Sequence, residues 1–372
     1  MKTLLRFLGL IAIVYGGSFF MGCLDEISFP SLNDEQNAIV VEGSLRFGNP
    51  SVAKISSSRL FNFSAEGLKA VNLRKATLLD QDGKERELKE ISPGVYETRI
   101  FPGDQDFEVA LGRSYQIQIL TFDGNNFISN LEPLIAVNKV GELTIERISK
   151  DVVDKFGEFS KLDLLQFSIN APVAVGQNGE AGRFRYFIEQ TYKLTDSPVI
   201  GNPLPEPKTC FVTAIADVTS ALVFDGNEFT GNQEIKIPLV DIVMNNTLFS
   251  EGYYLTAYQQ SLSESAYRYW DQVGQVIERD GNMFETPAGK IRSNFISVNE
   301  NSDAEIFGYF YATQEDTTRI YVDPAMADFP SAYCPGPPGP PPPGARCLPR
   351  FPCCDCLLQD GSSLQKPNFW VE

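Results

Sequence analysis

Between residues 68 and 129 the chain reverses direction at short, regular intervals, and most reversals carry glycine. Residues 71–79 are rich in strand formers, and Asp80-Gln81-Asp82-Gly83 follows as a hairpin turn whose Asp-Gly pair supplies the positive φ angles. Ile91-Ser92-Pro93-Gly94 then turns the chain into residues 95–100. Residues 113–122 alternate Tyr115, Ile117 and Ile119 with polar neighbours, the signature of a half-buried strand, before Asp123-Gly124 turns again. Runs this short cannot build a helical core. Their spacing predicts a small antiparallel sandwich over residues 38–135, and the order of its strands and turns resembles the immunoglobulin or transthyretin-like kind.

The same rhythm continues beyond residues 133–140, which read as the passage into a second antiparallel β domain at 136–332. Strands are expected at 162–169, 184–194, 210–215, 234–239, 253–260 and 306–312. Within the second of these, Phe184, Tyr186 and Ile188 share one face, and Arg185, Phe187 and Glu189 share the other. Tyr254, Thr256 and Tyr258 likewise share a face. Aromatic rows of this sort serve as sheet core or as a stacking platform for a ligand. One amphipathic helix, at 262–279, interrupts the strands. Ser261-Leu262-Ser263-Glu264 has the form of a capping box, and apolar residues from Ala266 onward recur at helical spacing toward Gly281.

The tail, residues 333–372, is rich in cysteine and proline. Cys334 and Cys347 flank Pro335-Gly336-Pro337-Pro338-Gly339-Pro340-Pro341-Pro342-Pro343-Gly344, a polyproline-II stretch with no core of its own. A bridge between those two cysteines would pin it. Cys210, Cys334, Cys347, Cys353, Cys354 and Cys356 are an even set, predicted to form disulfides in an exported chain. The alternative is zinc held by Cys347, Cys353, Cys354 and Cys356, which an oxidising compartment and the adjacency of Cys353 and Cys354 disfavour.

Export is what the first residues predict. Lys2 and Arg6 precede an apolar run at 7–20, which is too short to span a membrane, and Phe20-Met21-Gly22-Cys23 follows as a lipoprotein cleavage site. Residues 1–22 then read as a signal peptide, Cys23 as the lipid attachment site, and 23–37 as a tether. Removing residues 1–22 takes away Lys2 and Arg6 and no acid, which leaves 29 basic against 48 acidic side chains. That balance of −19 repels nucleic acid, so the lipid must supply attachment to the membrane.

Histidine is absent, which excludes a Ser-His-Asp triad, a Cys-His pair and histidine-ligated zinc. Ser51 to Lys54 and Ser363 to Lys366 match S-x-x-K without its companion K-T-G. Asp80, Asp82 and Gly83 open like a calcium loop, but Lys84 and Ile91 stand where oxygen ligands belong. No cofactor motif is present. The expectation is a protein that is not an enzyme. A hydrolase working through two carboxylates would need an acidic pair that sequence alone does not nominate.

Several of these pieces resemble one family. They are the cleavage site, the strand Ile39-Val40-Val41-Glu42-Gly43, the sandwich turns, the helix entry Ser261 to Trp270 and the strand Phe307-Gly308-Tyr309-Phe310. Cys353-x-Asp355-Cys356 and Lys366-Pro367-x-Phe369-Trp370 belong with them. Together they are similar to Bacteroidota outer-membrane lipoproteins carrying domain of unknown function 4249, often encoded beside TonB-dependent receptors. The resemblance implies an outer-membrane location and such a receptor as partner, and it supplies no catalytic residues. An accessory of TonB-dependent uptake is therefore expected, with a surface adhesin or envelope-structural lipoprotein as the alternative.

Overall fold

The computed structural model describes residues 39–59, 69–137, 139–153, 157–172, 182–198, 206–216, 221–229, 234–277, 291–299, 305–329, 333–334 and 353–371. Cys23, the signal peptide and tether, Gly281 and Cys347 lie outside them.

Ten strands precede residue 134: β1 (Ile39–Phe47), β2 (Ser51–Arg59), β3 (Lys69–Ala70), β4 (Leu73–Asp80), β5 (Glu85–Glu87), β6 (Lys89–Ser92), β7 (Val95–Ile100), β8 (Ser114–Thr121), β9 (Asn126–Ser129) and β10 (Glu132–Pro133). Six more follow, β11 (Glu142–Val153), β12 (Phe159–Pro172), β13 (Arg183–Thr195), β14 (Thr209–Ile215), β15 (Val223–Asp225) and β16 (Glu234–Val243). After the one-turn helix α1 (Asn246–Phe249) come β17 (Tyr253–Ser261), helix α2 (Glu264–Ile277), β18 (Phe295–Ser297), β19 (Ile306–Val322) and β20 (Ser362–Ser363).

The main sheet runs β20-β14-β13-β17-β19-β1-β2-β7-β6, with β15 beside β13 and β3 beside β2. Sheets β18-β9-β8-β4-β5, with β10 on β8, and β11-β12-β16 make up the rest of the strands among the described residues. The fold is mainly β, as the turn spacing predicts. Leu45, Ile55, Leu78, Ile117, Phe127 and Phe310 fill the first sandwich, between one half of the main sheet and the second sheet. Phe167, Leu194, Tyr253 and Leu255 fill the other, against the three-stranded sheet.

The main sheet takes strands from both sides of residues 133–140. β1 pairs in parallel with β19, Ile39 opposite Ile306 through Phe47 opposite Gln314. Gly308 makes this approach feasible: its φ is +97°, and a Cβ there would lie 2.0 Å from Val41 O. Only a residue without a side chain fits.

Asp80 shows why the first sandwich turns where it does. Its Oδ1 accepts from Asp82 N at 3.0 Å and Lys84 N at 2.8 Å, while Oδ2 accepts from Arg113 at 2.9 Å. The carboxylate is fully engaged within the turn and with Arg113. Gly83, at φ +81°, takes the positive φ and Asp82 does not.

Two sequence expectations change at α2. The capping residue is Ser263, whose Oγ accepts from Ala266 N at 3.0 Å. Ser261 is still in β17, and its hydroxyl donates to Ile135 O at 2.6 Å and accepts from Gln314 N at 2.9 Å. That side chain is committed to the sheet, so the helix starts at Glu264. Its last turn does not bury the predicted stripe: Val276 and Ile277 are 40% and 54% exposed.

Candidate functional site

Cross-strand neighbours share a face, so the register identifies what the main sheet presents on the side away from its two cores. Arg185 stands opposite Gln260, Phe187 opposite Tyr258, and Glu189 opposite Thr256 on β13 and β17. On β19, Glu315 continues the first of these rows. Beyond it, β1 adds Glu42, Ser44 and Arg46, and β2 adds Lys54. All of these but the fully buried Thr256 line a cleft of about 510 Å³.

Helix α2 walls one end. Tyr269 stacks on Tyr309 with ring centroids 4.5 Å apart, and Trp270 sits edge-on to Tyr311. The Arg185 guanidinium lies 3.5 Å from the Trp270 ring centroid, a cation–π stack that fixes both side chains at the cleft wall. Glu132, 1% exposed, holds the helix down: it accepts from Ser263 Oγ at 2.5 Å, Ser265 Oγ at 3.0 Å and Tyr309 OH at 2.6 Å. Burial, reinforced by this carboxylate, pushes the Tyr309 hydroxyl well above its ordinary range.

The polar groups of the floor are linked. Tyr258 OH donates to Glu189 at 3.0 Å, Gln260 donates to Glu315 at 3.0 Å, and Tyr311 OH donates to Gln260 at 3.0 Å. Arg46 reaches Glu315 at 3.9 Å. Burial, with Glu189 adjacent, pushes Tyr258 up to about 12, and burial with Glu42 nearby does the same for Tyr269. Both stay neutral donors at ordinary pH. Two donors, Arg185 Nε and Trp270 Nε1, are buried with no acceptor among the described residues. Buried orphans are rare enough that each calls for a partner.

The aromatic alternation foreseen in β13 and β17 therefore divides. Phe184, Tyr186 and Ile188 are core, whereas Phe187 and Tyr258 form a half-buried pair on the open face, 6.0 Å between centroids. Tyr254 is on that face too, but Trp370 covers it at 5.1 Å and also packs on Phe211 and Tyr321. The glutamates, arginines and Gln260 of the cleft carry no motif. They converge only through register, which no local pattern announces.

In the cysteine-rich tail, Cys210 bonds Cys356 and Cys334 bonds Cys353. Cys354 is also in a disulfide. The bridge around the proline stretch thus closes with Cys353, because β14 and the tail bring Cys353 and Cys356 to the sheet edge. Ser197 N donates to Cys353 O at 2.9 Å there, and β20 adds to β14. The oxidised sulfurs leave no thiolate set for zinc. Among the described residues, the one acid–cysteine grouping is Asp196, Asp355 and Cys356. Its centre is taken by Lys208, whose ammonium is 2.7 Å from Asp355 and 3.8 Å from Asp196. Ser51 exchanges hydrogen bonds with Gly48 within the turn, and Ser363 lies in β20.

A second cavity, about 570 Å³ and largely apolar, lies between α2, β15 and β16, lined by Phe224, Phe229 and Ile237.

Fold and cleft define a class: a double β-sandwich built on one shared sheet, with an aromatic and charged cleft on that sheet's open side. The chain belongs to the family named for a domain of unknown function (DUF4249), whose model matches residues 25–319. The match ends inside β19, so the disulfide-bonded tail lies beyond it. None of the curated proteins compared with the chain matches it.

Proposed function

We propose that this protein is a non-enzymatic binding lipoprotein of the outer membrane, anchored through Cys23, that captures a ligand in the cleft for a TonB-dependent receptor. The observation that carries the reading is the cleft: half-buried aromatic rings, balanced charges and two buried donors without acceptors, on the open face of a rigid sheet. Sites of this volume with a few convergent polar groups are typical ligand sites. The leader layout supports anchorage, and the family resemblance supports the receptor. Among the described residues no helix is long and apolar enough to cross a membrane. The carboxylates Glu189 and Glu315 accept hydrogen bonds from neighbouring side chains, which suits recognition better than proton transfer.

The test is cross-linked affinity purification of the tagged protein from native outer membranes, followed by mass spectrometry. Recovery of one TonB-dependent receptor, lost when Cys23 is replaced by Ser, is the expected result. Recovery of no receptor overturns the transport role and brings adhesion forward.

A further inference from the structure

We propose that the cleft ligand is an extended, neutral oligosaccharide; this rests on the reading of the cleft as a binding site. Charge is the first argument. Within a chain at −17, the cleft sets Glu42, Glu189 and Glu315 against Arg46, Lys54 and Arg185. An even balance selects neither a phosphorylated or acidic ligand nor a cation, since either would face as many like charges as opposite ones.

The backbone supplies the second argument. β13, β17, β1 and β2 each have a neighbour on both sides, and β19 pairs with β1 over Ile306–Gln314 and with β17 over Glu315–Val322, so none of the five is an edge of the sheet. A peptide recognised by strand addition needs a free edge, and this floor has none. Recognition falls to side chains alone.

Those side chains are of two kinds. Gln260, Glu189, Glu315 and the two arginines are planar forks that accept or donate in pairs, the geometry that matches adjacent hydroxyls. Phe187, Tyr258 and Trp270 are rings against which the C–H face of a sugar packs. The orphaned Arg185 Nε and Trp270 Nε1 lie beside those rings. The floor crosses five strands, about 19 Å at ordinary strand spacing, so the ligand is several rings long.

The mature chain carrying Cys23→Ser, applied to an array of neutral and acidic glycans and to an array of unmodified peptides, tests this. Neutral oligosaccharides of four or more rings are expected to bind. Titration of one such sugar, maltohexaose or cellohexaose if the array selects it, should weaken about ten-fold in Phe187→Ala and in Glu315→Ala. The melting midpoint should hold in both variants, which separates loss of the contact from misfolding. Binding of acidic glycans alone, no glycan binding, or glycan binding indifferent to both alanine variants overturns the proposal. Peptide binding that Phe187→Ala abolishes also overturns it, yet leaves the cleft a binding site. Sugar binding without receptor recovery from membranes leaves the ligand class standing and removes the transport role.

Discussion

The two sandwiches share a sheet but are held in opposite ways. In the first, β1 and β2, β4 and β5, β6 and β7, and β8 and β9 are joined by short turns, so much of the pairing is between neighbours in sequence. In the second, β13 meets β17 and β14 meets β20 across long stretches of chain, and a Cys210–Cys356 bridge joins residues 146 apart. Turn chemistry can specify the first half. The second needs distant partners to find each other, and such pairing carries a larger loop-closure cost.

The largest expected effect follows from that bridge. In the chain-entropy description a cross-link over this separation stabilises by about 5 kcal/mol. Cys210→Ser with Cys356→Ser should therefore lower the denaturation midpoint more than any single change in the first sandwich. Hydrogen exchange should show β13, β14 and β17 losing protection while β4 and β8 keep theirs. If all strands lose protection together, the halves are one cooperative unit and the contrast fails.

Gly308→Ala attacks the seam instead. A Cβ at φ +97° meets Val41 O, and relief requires β1 and β19 to part. A cost of about 3 kcal/mol is expected from backbone strain and overpacking. Because β1 serves the first core and β19 serves both, protection should fall in both halves. Loss confined to one half would show that the shared sheet does not couple them.

The same contrast explains what could be read in advance. β7 and β8 were legible because alternation and glycine turns are local signals. β11 was not: Glu146, Arg147, Lys150 and Asp151 break its alternation, and it is a largely exposed outer strand whose charges pair across it, as Lys236 does with Glu146 at 2.6 Å. The extension of β19 through Glu315, Asp316 and Thr317 reads as a loop in isolation, yet it is the strand that joins the sandwiches. The cleft suffered most, since its residues come from five strands and meet only in the assembled sheet. A disulfide set was legible from parity, but the pairing Cys334–Cys353 needed the path of the tail.

Helix α2 is pinned across the two halves by Glu132 of β10 and Tyr309 of β19. Glu132→Gln replaces a side chain whose two oxygens accept from three hydroxyls by an amide that accepts at one atom only. A loss of about 2 kcal/mol is expected. Fluorescence of Trp270 should report the helix loosening before global unfolding. A single transition at an unchanged midpoint would mean the carboxylate is dispensable.

The smallest effect is in alkaline solution, and it discriminates between the halves through their tyrosines. Burial raises Tyr96 and Tyr115 in the first sandwich, but Tyr258 and Tyr269, at the cleft, are held up to about 12. A phenol is neutral when protonated, so a raised folded value means the folded chain retains protons that the unfolded chain has released. Stability from these groups is complete below about pH 10, where unfolded tyrosine is still neutral. It declines as pH rises toward 12, since the unfolded state binds fewer protons throughout that window. Each cleft tyrosine should cost about 1 kcal/mol by pH 11. Tyr258→Phe removes one such group, so its melting midpoint should fall less steeply than the parent's between pH 10 and 12. Parallel slopes would show that Tyr258 ionises freely, which an OH group buried against Glu189 cannot do while the cleft floor stays intact.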